Sequence, residues 1–252
     1  MTGTLYVIGV GPGDPELLTL KAVRILRTVK CICVPKGREE GSSMALNIIK
    51  KTISMDNKEI IEAHFPMRKT KASASGSPER RKSFWGGAHA SELDTKWNET
   101  VETVLSILNR GSDMAFITIG DPTIYSTFFY LYDRLHELNP LLSIEIIPGI
   151  SSITASAAQA RISLGLADER IAVLPATYAN DIGMVLEHFD TVILMKVHKV
   201  FDQVLAMLDA TGLTDKALYI SRTGMDDEQV VRDIGTLRGK ELNYFSMVII
   251  KK

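Results

Sequence analysis

The groups in this sequence best suited to chemistry sit in three short glycine-bearing turns. They are Gly9-Val10-Gly11-Pro12-Gly13-Asp14, Gly120-Asp121-Pro122 and Pro148-Gly149-Ile150-Ser151-Ser152, and each follows an apolar run with the character of a buried strand. Glycine lets a backbone approach a ligand closely. Amides at the start of a following helix favour polar or anionic ligand groups. One such turn is weak evidence, because many strand–helix joints carry glycine for steric reasons alone. Three together point to a nucleotide-like ligand at the carboxyl edge of a parallel sheet. Asp121 is the most interesting acid, next to a glycine and ahead of Thr123-Ile124-Tyr125-Ser126. Its carboxylate can accept hydrogen bonds from a ligand hydroxyl or amine. It can equally cap a helix starting at Pro122, and the two roles are compatible.

Several chemistries are excluded by spacing. The first turn reads G-x-G-x-G with Pro12 inside it, which is not the dinucleotide fingerprint, and no Lys followed by Ser or Thr closes it as a phosphate loop. There is no H-E-x-x-H zinc motif and no G-x-S-x-G nucleophile elbow. The two cysteines, Cys31 and Cys33, alternate inside the apolar run Cys31-Ile32-Cys33-Val34-Pro35. A metal site would need more ligands nearby, so no metal is expected and both read as buried strand residues rather than a disulfide framework.

Positioning these turns requires strands alternating with helices. Residues 5–8, 30–34, 59–64, 114–119 and 143–147 read as strands. Asp14, Pro15 and Glu16 look like a helix start, with Leu17, Leu20, Val23 and Leu26 following at helical spacing. Helices are also expected over 43–51 and 97–109, the latter placing Val101, Val104, Leu105 and Leu108 on one face. This order predicts an α/β fold with an open, mostly parallel sheet. Beyond about residue 165, strands at 171–174, 191–195, 217–220, 229–234 and 244–250 crowd around one helix at 199–209. That predicts a second α/β domain with mixed or antiparallel pairing. The boundary falls near 149–167, giving an N-terminal domain 1–150 and a C-terminal domain 151–252. The segment 68–92 breaks the rhythm, with Lys69, Lys71, Arg80, Arg81 and Lys82 among Ser, Ala and Gly. It reads as a mobile, solvated insertion, and a lid or a basic arm for an acidic ligand are the functional alternatives.

The bulk numbers set limits. The chain has 252 residues, 45% hydrophobic and 23% charged, with a formal net charge of -1. Nothing global calls for nucleic acid or a membrane surface. No apolar stretch reaches the roughly 18 residues of a membrane span. No charged leader precedes the first strand, so no secretory signal and a cytoplasmic setting are expected.

At its turns the sequence resembles the tetrapyrrole methylase family. The resemblance covers nearly the whole chain and rests on GVGPGDPELLTLKA (9–22), GDPTIYST (120–127), PGISSITA (148–155) and VILMKVHK (192–199). GDPTIYST together with Phe65-Pro66-Met67 looks most like the branch that methylates carbon 20 of precorrin-2 or cobalt-factor II. The resemblance implies two α/β domains, a homodimer, and S-adenosylmethionine, or its product S-adenosylhomocysteine, in a cleft between domains. By motif it implies that Pro12, Gly120, Asp121, Ile124, Ser151, Ser152, Met195 and Lys196 line the cofactor site. The insertion is longer than the family pattern leads one to expect.

The implied reaction is an in-line methyl transfer in cobalamin biosynthesis. The enzyme's main task is to hold a nucleophilic carbon close and aligned. A base can assist loss of the macrocycle proton, and His198, Glu145 and Tyr125 are candidates by position alone. The substrate's carboxylates call for cations. Lys199, Arg222 and Arg161 are the candidates, with Lys196 beside them and Arg68, Lys69, Arg80 and Arg81 if the insertion folds inward. A tetrapyrrole is therefore the expected small-molecule partner. The rival readings are a methylase acting on another tetrapyrrole carbon, on diphthamide or on ribosomal RNA, and a non-catalytic S-adenosylmethionine sensor. A pI near 6.5 argues against the RNA enzyme.

Overall fold

The run Thr4–Gly9 (β1) carries Leu5, Val7 and Ile8 with no solvent exposure at all, the signature of a strand covered on both faces. It lies between Met114–Thr118 (β4) and Ser143–Ile147 (β5), parallel to both. Cys31–Lys36 (β2) and Glu59–His64 (β3) complete a five-stranded parallel sheet in the order β3-β2-β4-β1-β5. The computed structural model describes residues 2–36, 43–64, 92–177 and 182–252, leaving aside the side chains of residues 36, 64 and 92–94. Residues 68–91 of the basic insertion 68–92, and Phe65-Pro66-Met67, fall outside the described residues.

Side chains from the two faces of this sheet feed two cores. Ile8, Ile32, Ala115 and Ile117 pack with helices Leu20–Thr28 (α1) and Met44–Lys50 (α2). Leu5, Val7, Cys33 and Phe116 pack with Glu92–Asn109 (α3) and Phe128–Leu138 (α4). Both cysteines are buried and free, as the alternating apolar run predicts.

Two helix starts differ from the sequence reading. Asp14-Pro15-Glu16 opens only one 3-10 turn, Pro15–Leu17, in which the Asp14 carboxylate accepts from the Glu16 amide at 2.8 Å. The α-helix begins at Leu20, where the Thr19 hydroxyl caps the Ala22 amide at 3.2 Å. No α-helix begins at Pro122 either. The following helix, α4, starts at Phe128, which leaves 121–127 as a loop.

The chain divides into two compact units, Met1–Val10 with Leu18–Gly149, and Gly11–Leu17 with Ile150–Lys252. In the second, Ile171–Pro175 (β6), Thr191–Met195 (β7), Ala217–Ser221 (β8), Gln229–Val231 (β9) and Ser246–Lys251 (β10) form a sheet in the order β6-β7-β10-β8-β9. Only β6 and β7 pair in parallel; β10 runs antiparallel between β7 and β8. This is the mixed pairing that the denser strand pattern predicts. Residues 232–234 leave the expected strand, and Ile234–Leu237 turns as a 3-10 helix. Ile182–His188 (α6) and Phe201–Thr211 (α7) pack on one face, and Ser152–Ala160 (α5) packs on the other.

Candidate active site

Because β1 sits between β4 and β5, the turns that follow these three strands lie side by side at the carboxyl edge of the first sheet. Their approach is so close that two positions have no room for a side chain. A Cβ on Gly9 would lie 2.5 Å from the Gly120 carbonyl oxygen, and one on Gly149 would lie 2.3 Å from the same atom. Gly120 itself adopts φ +72, which disfavours any residue with a Cβ.

Asp121 joins two of these turns. Its Oδ1 accepts from the Thr123 amide at 2.8 Å and from the Thr123 hydroxyl, and its Oδ2 accepts from the Gly149 amide at 3.0 Å. Thr123 was not singled out from the sequence, although an Asp two residues before a Thr is the ordinary signal for a side chain closing such a turn. Beyond it, Ile124 is 39% and Tyr125 47% exposed, and Tyr125 holds φ +52, an unusual backbone state for an aromatic residue. An open backbone edge flanked by exposed apolar side chains therefore crowns the first unit.

Glu145 lies elsewhere. It sits mid-strand on β5 opposite Tyr6, forms an ion pair with Lys21, and lines a cavity of about 310 Å³ with Arg24, Ile25 and Thr28. It does not join the carboxyl-edge turns.

In the second unit, β7 and β8 end at the same edge, on either side of β10. The Lys196 amide donates to the Ser246 carbonyl at 3.0 Å and the Arg222 amide to the Phe245 carbonyl at 2.8 Å. Both Lys196 and Arg222 hold positive φ, +60 and +54, each one residue past its strand. Met195 closes β7 and packs on the cluster containing Ile153 of α5. Ser151 caps α5 through the Ile153 amide at 3.2 Å, and Ser152 is the first helical residue. The Ser156 and Thr223 hydroxyls meet at 2.7 Å in the interior, tying α5 to the loop after β8. Pro12 lies in the segment locked against that loop, since a Cβ on Gly13 would fall 2.8 Å from the Gly224 carbonyl.

The cations divide between the two ends of this unit. Lys196, exposed Lys199 and Arg222 share the β7–β8 carboxyl edge. Arg222 pairs with Asp227 and lines a polar cavity of about 390 Å³ with Ser221, Gln229 and Asn243. Arg161 terminates α5 in a left-handed conformation, and the nearby Ser163 carbonyl takes Lys251 Nζ at 2.9 Å from the opposite end of the sheet. It is not gathered with the other three. His198 stacks edge-on against Tyr244, ring centroids 5.1 Å apart. Burial and then the Lys199 charge hold its imidazole below the ordinary histidine range, opposed by a backbone bond at Lys196. Among the described residues no cluster of three or more His, Cys, Asp or Glu is placed to hold a metal ion.

A model of the tetrapyrrole (corrin/porphyrin) methylases matches residues 4–238. This chain belongs to the tetrapyrrole methylase family. Similarity runs nearly end to end with two curated members. The chain is 32% identical to the cobalt-precorrin-2 C(20)-methyltransferase of Salmonella typhimurium, covering 100% of this chain and 98% of that one. It is 35% identical to a probable cobalt-precorrin-2 C(20)-methyltransferase of Methanocaldococcus jannaschii, covering 98% and 96%. A uroporphyrin-III C-methyltransferase from Thermus thermophilus, solved with S-adenosyl homocysteine, shares the fold at TM-score 0.62 and 16% identity over 99% of this chain and 98% of that one. The methylase cofactor fits what the first unit presents. Glycines clear the turn backbone for close approach, and Ile124 and Tyr125 offer apolar surface beside it.

Proposed function

We propose that this tetrapyrrole methylase transfers one methyl group from S-adenosylmethionine to carbon 20 of precorrin-2 or its cobalt complex, a step of cobalamin biosynthesis. The observation that carries the reading is full-length similarity, at 32% and 35% identity, to cobalt-precorrin-2 C(20)-methyltransferases. The three glycine-bearing turns at the carboxyl edge support it.

S-adenosylmethionine, when bound, supplies a sulfonium methyl that is already a strong electrophile. The chain's own work is then binding and alignment. Gly120, Asp121 and Ile124 of the first unit are assigned to the cofactor, as are Pro12, Ser151, Ser152, Met195 and Lys196 of the second. Turn carbonyls placed around the sulfonium would stabilise its charge better than mobile water does. Lys199 and Arg222 hold substrate carboxylates, Arg222 with its planar fork. Arg161 keeps only a peripheral role. The working division is an N-terminal domain 1–150 and a C-terminal domain 151–252, in a cytoplasmic homodimer.

The test is turnover. Full-length protein with S-adenosylmethionine should release S-adenosylhomocysteine only when the tetrapyrrole is added. Tight S-adenosylhomocysteine binding with no release on any tetrapyrrole would make the chain a sensor.

A further inference from the structure

Strand β8 carries two hydroxyls that the fold itself does not use. Tyr219 and Ser221 lie two residues apart and so share one face of the sheet. Gln229 of β9 stands opposite Ser221 and shares that face. Tyr219 is 1% and Ser221 3% exposed, and the Tyr219 ring is fixed edge-on against Phe201 in the core. Yet neither hydroxyl has a hydrogen-bond partner among the described residues. Both residues line the cavity of about 390 Å³ at this end of the sheet. Polar groups buried without partners cost stability, and their bonds are completed by what enters the cavity. Arg222 lines the same space. Asp227 accepts from its Nε, which fixes the guanidinium and leaves the two terminal nitrogens, the fork that matches a carboxylate. Glu241 is an opposing charge in the lining, but it is exposed, and solvent screens it. The volume lies near the low end of the ~300–1,000 Å³ of sites that enclose drug-sized ligands. It admits an arm of a macrocycle and leaves the ring outside.

We infer, resting on the proposed methylation of precorrin-2, that this cavity is the pocket for one carboxylate arm of the tetrapyrrole. Arg222 grips the carboxylate with its fork, and the Tyr219 and Ser221 hydroxyls and the Gln229 amide donate to it from the buried wall. The two hydroxyls are thereby specificity-determining residues of the substrate site. A carboxylate brings the acceptors that these donors lack, whereas an arm ending in an apolar group would leave them all unpaired. Holding one arm at a fixed point also sets the rotation of the ring, which is the alignment that methyl transfer needs.

The experiment uses the full chain as wild type, Tyr219→Phe and Ser221→Ala, each of which deletes a single oxygen from the wall. Turnover is measured with S-adenosylmethionine and varied precorrin-2 or its cobalt complex, and Tm and S-adenosylhomocysteine affinity are measured by calorimetry. A hydrogen bond to a charged group is lost in each variant, so KM for the tetrapyrrole should rise about 10-fold. Tm should hold or rise, because no bond within the protein is lost, and S-adenosylhomocysteine affinity should stay as in wild type. In an Arg222→Ala background, Tyr219→Phe should raise KM by less than about twofold more, because both groups hold the same arm. Unchanged KM in both variants, with wild-type turnover intact, would overturn the pocket. So would a fall in Tm matching the rise in KM, which would make the hydroxyls structural, or a full effect of Tyr219→Phe without Arg222. A wild-type chain that methylates no tetrapyrrole would overturn the proposed function, and the pocket with it.

Discussion

Replacing Gly149 by alanine tests the interlocked turns at their tightest point. The glycine does not sit in the left-handed region, so the backbone accepts alanine and only space is at issue. The added Cβ falls 2.3 Å from the Gly120 oxygen, about 1.1 Å inside the 3.4 Å at which ordinary contact begins. The neighbours are backbone atoms of Gly120 and Gly9 and cannot swing away. Overpacking of this kind costs about 1–3 kcal/mol. Opening the turn by a comparable amount also stretches the 3.0 Å bond from the Gly149 amide to Asp121 beyond useful range. A charge-assisted bond contributes about 1.5–3 kcal/mol. Reduced freedom of the unfolded chain returns about 0.4–1 kcal/mol. The net loss is about 1.5–5.5 kcal/mol, or a fall in Tm of roughly 3–20 °C. Differential scanning calorimetry of the full chain reads it. Gly183→Ala is the control, because among the described residues nothing lies within 4 Å of its Cβ in α6, and it should gain about 0.5–1 kcal/mol. Equal melting of Gly149→Ala and wild type would refute the packing on which the site description depends.

Four further outcomes follow from the same packing and charge arrangement. Thr223→Val should strand the fully buried Ser156 hydroxyl and lose about 1–3 kcal/mol in urea titration, most of it recovered when Ser156→Ala is added. Burial pushes the Cys33 thiol up to about 12. It should therefore resist alkylation at pH 8 until the protein unfolds. The same shift fixes a sign. With its folded value raised, the thiol stabilises the fold fully below its unfolded value of 9.0, and that contribution fades as pH rises toward 12; Cys33→Ala should flatten the decline in Tm over this window. Arg222→Ala and Lys199→Ala should raise KM for the tetrapyrrole about 10-fold each, with S-adenosylhomocysteine affinity unchanged in calorimetry.

Much of the fold was legible because burial writes itself into strands. Leu5, Val7 and Ile8 are apolar in an unbroken run because β1 is covered on both faces, and the run locates the first glycine-bearing turn at Gly9. The mixed second sheet was legible from strand density alone. Helix starts were less so. Asp14-Pro15-Glu16 has the composition of a first turn, yet Thr19 captures the cap and the Asp14 carboxylate closes only a 3-10 turn. Asp121 likewise carries cap chemistry but spends it on Thr123 and on Gly149, a partner 28 positions away that no local pattern reveals. The cations show the same limit. Lys196, Lys199 and Arg222 fall at one edge because β7 and β8 both flank β10 and end on the same side. Arg161 parts from them because α5 carries it roughly 13 Å from Ser152, at 1.5 Å per residue over nine residues.

Carbon 20 is the central claim, and one measurement addresses it most directly. Full-length protein is incubated without oxygen with methyl-labelled S-adenosylmethionine and either precorrin-2 or its cobalt complex. The product is read by mass spectrometry and carbon NMR. A single labelled methyl at carbon 20 is the predicted result, and the faster of the two substrates would identify the natural form. A labelled methyl at any other carbon, or none on either tetrapyrrole, would contradict the proposal.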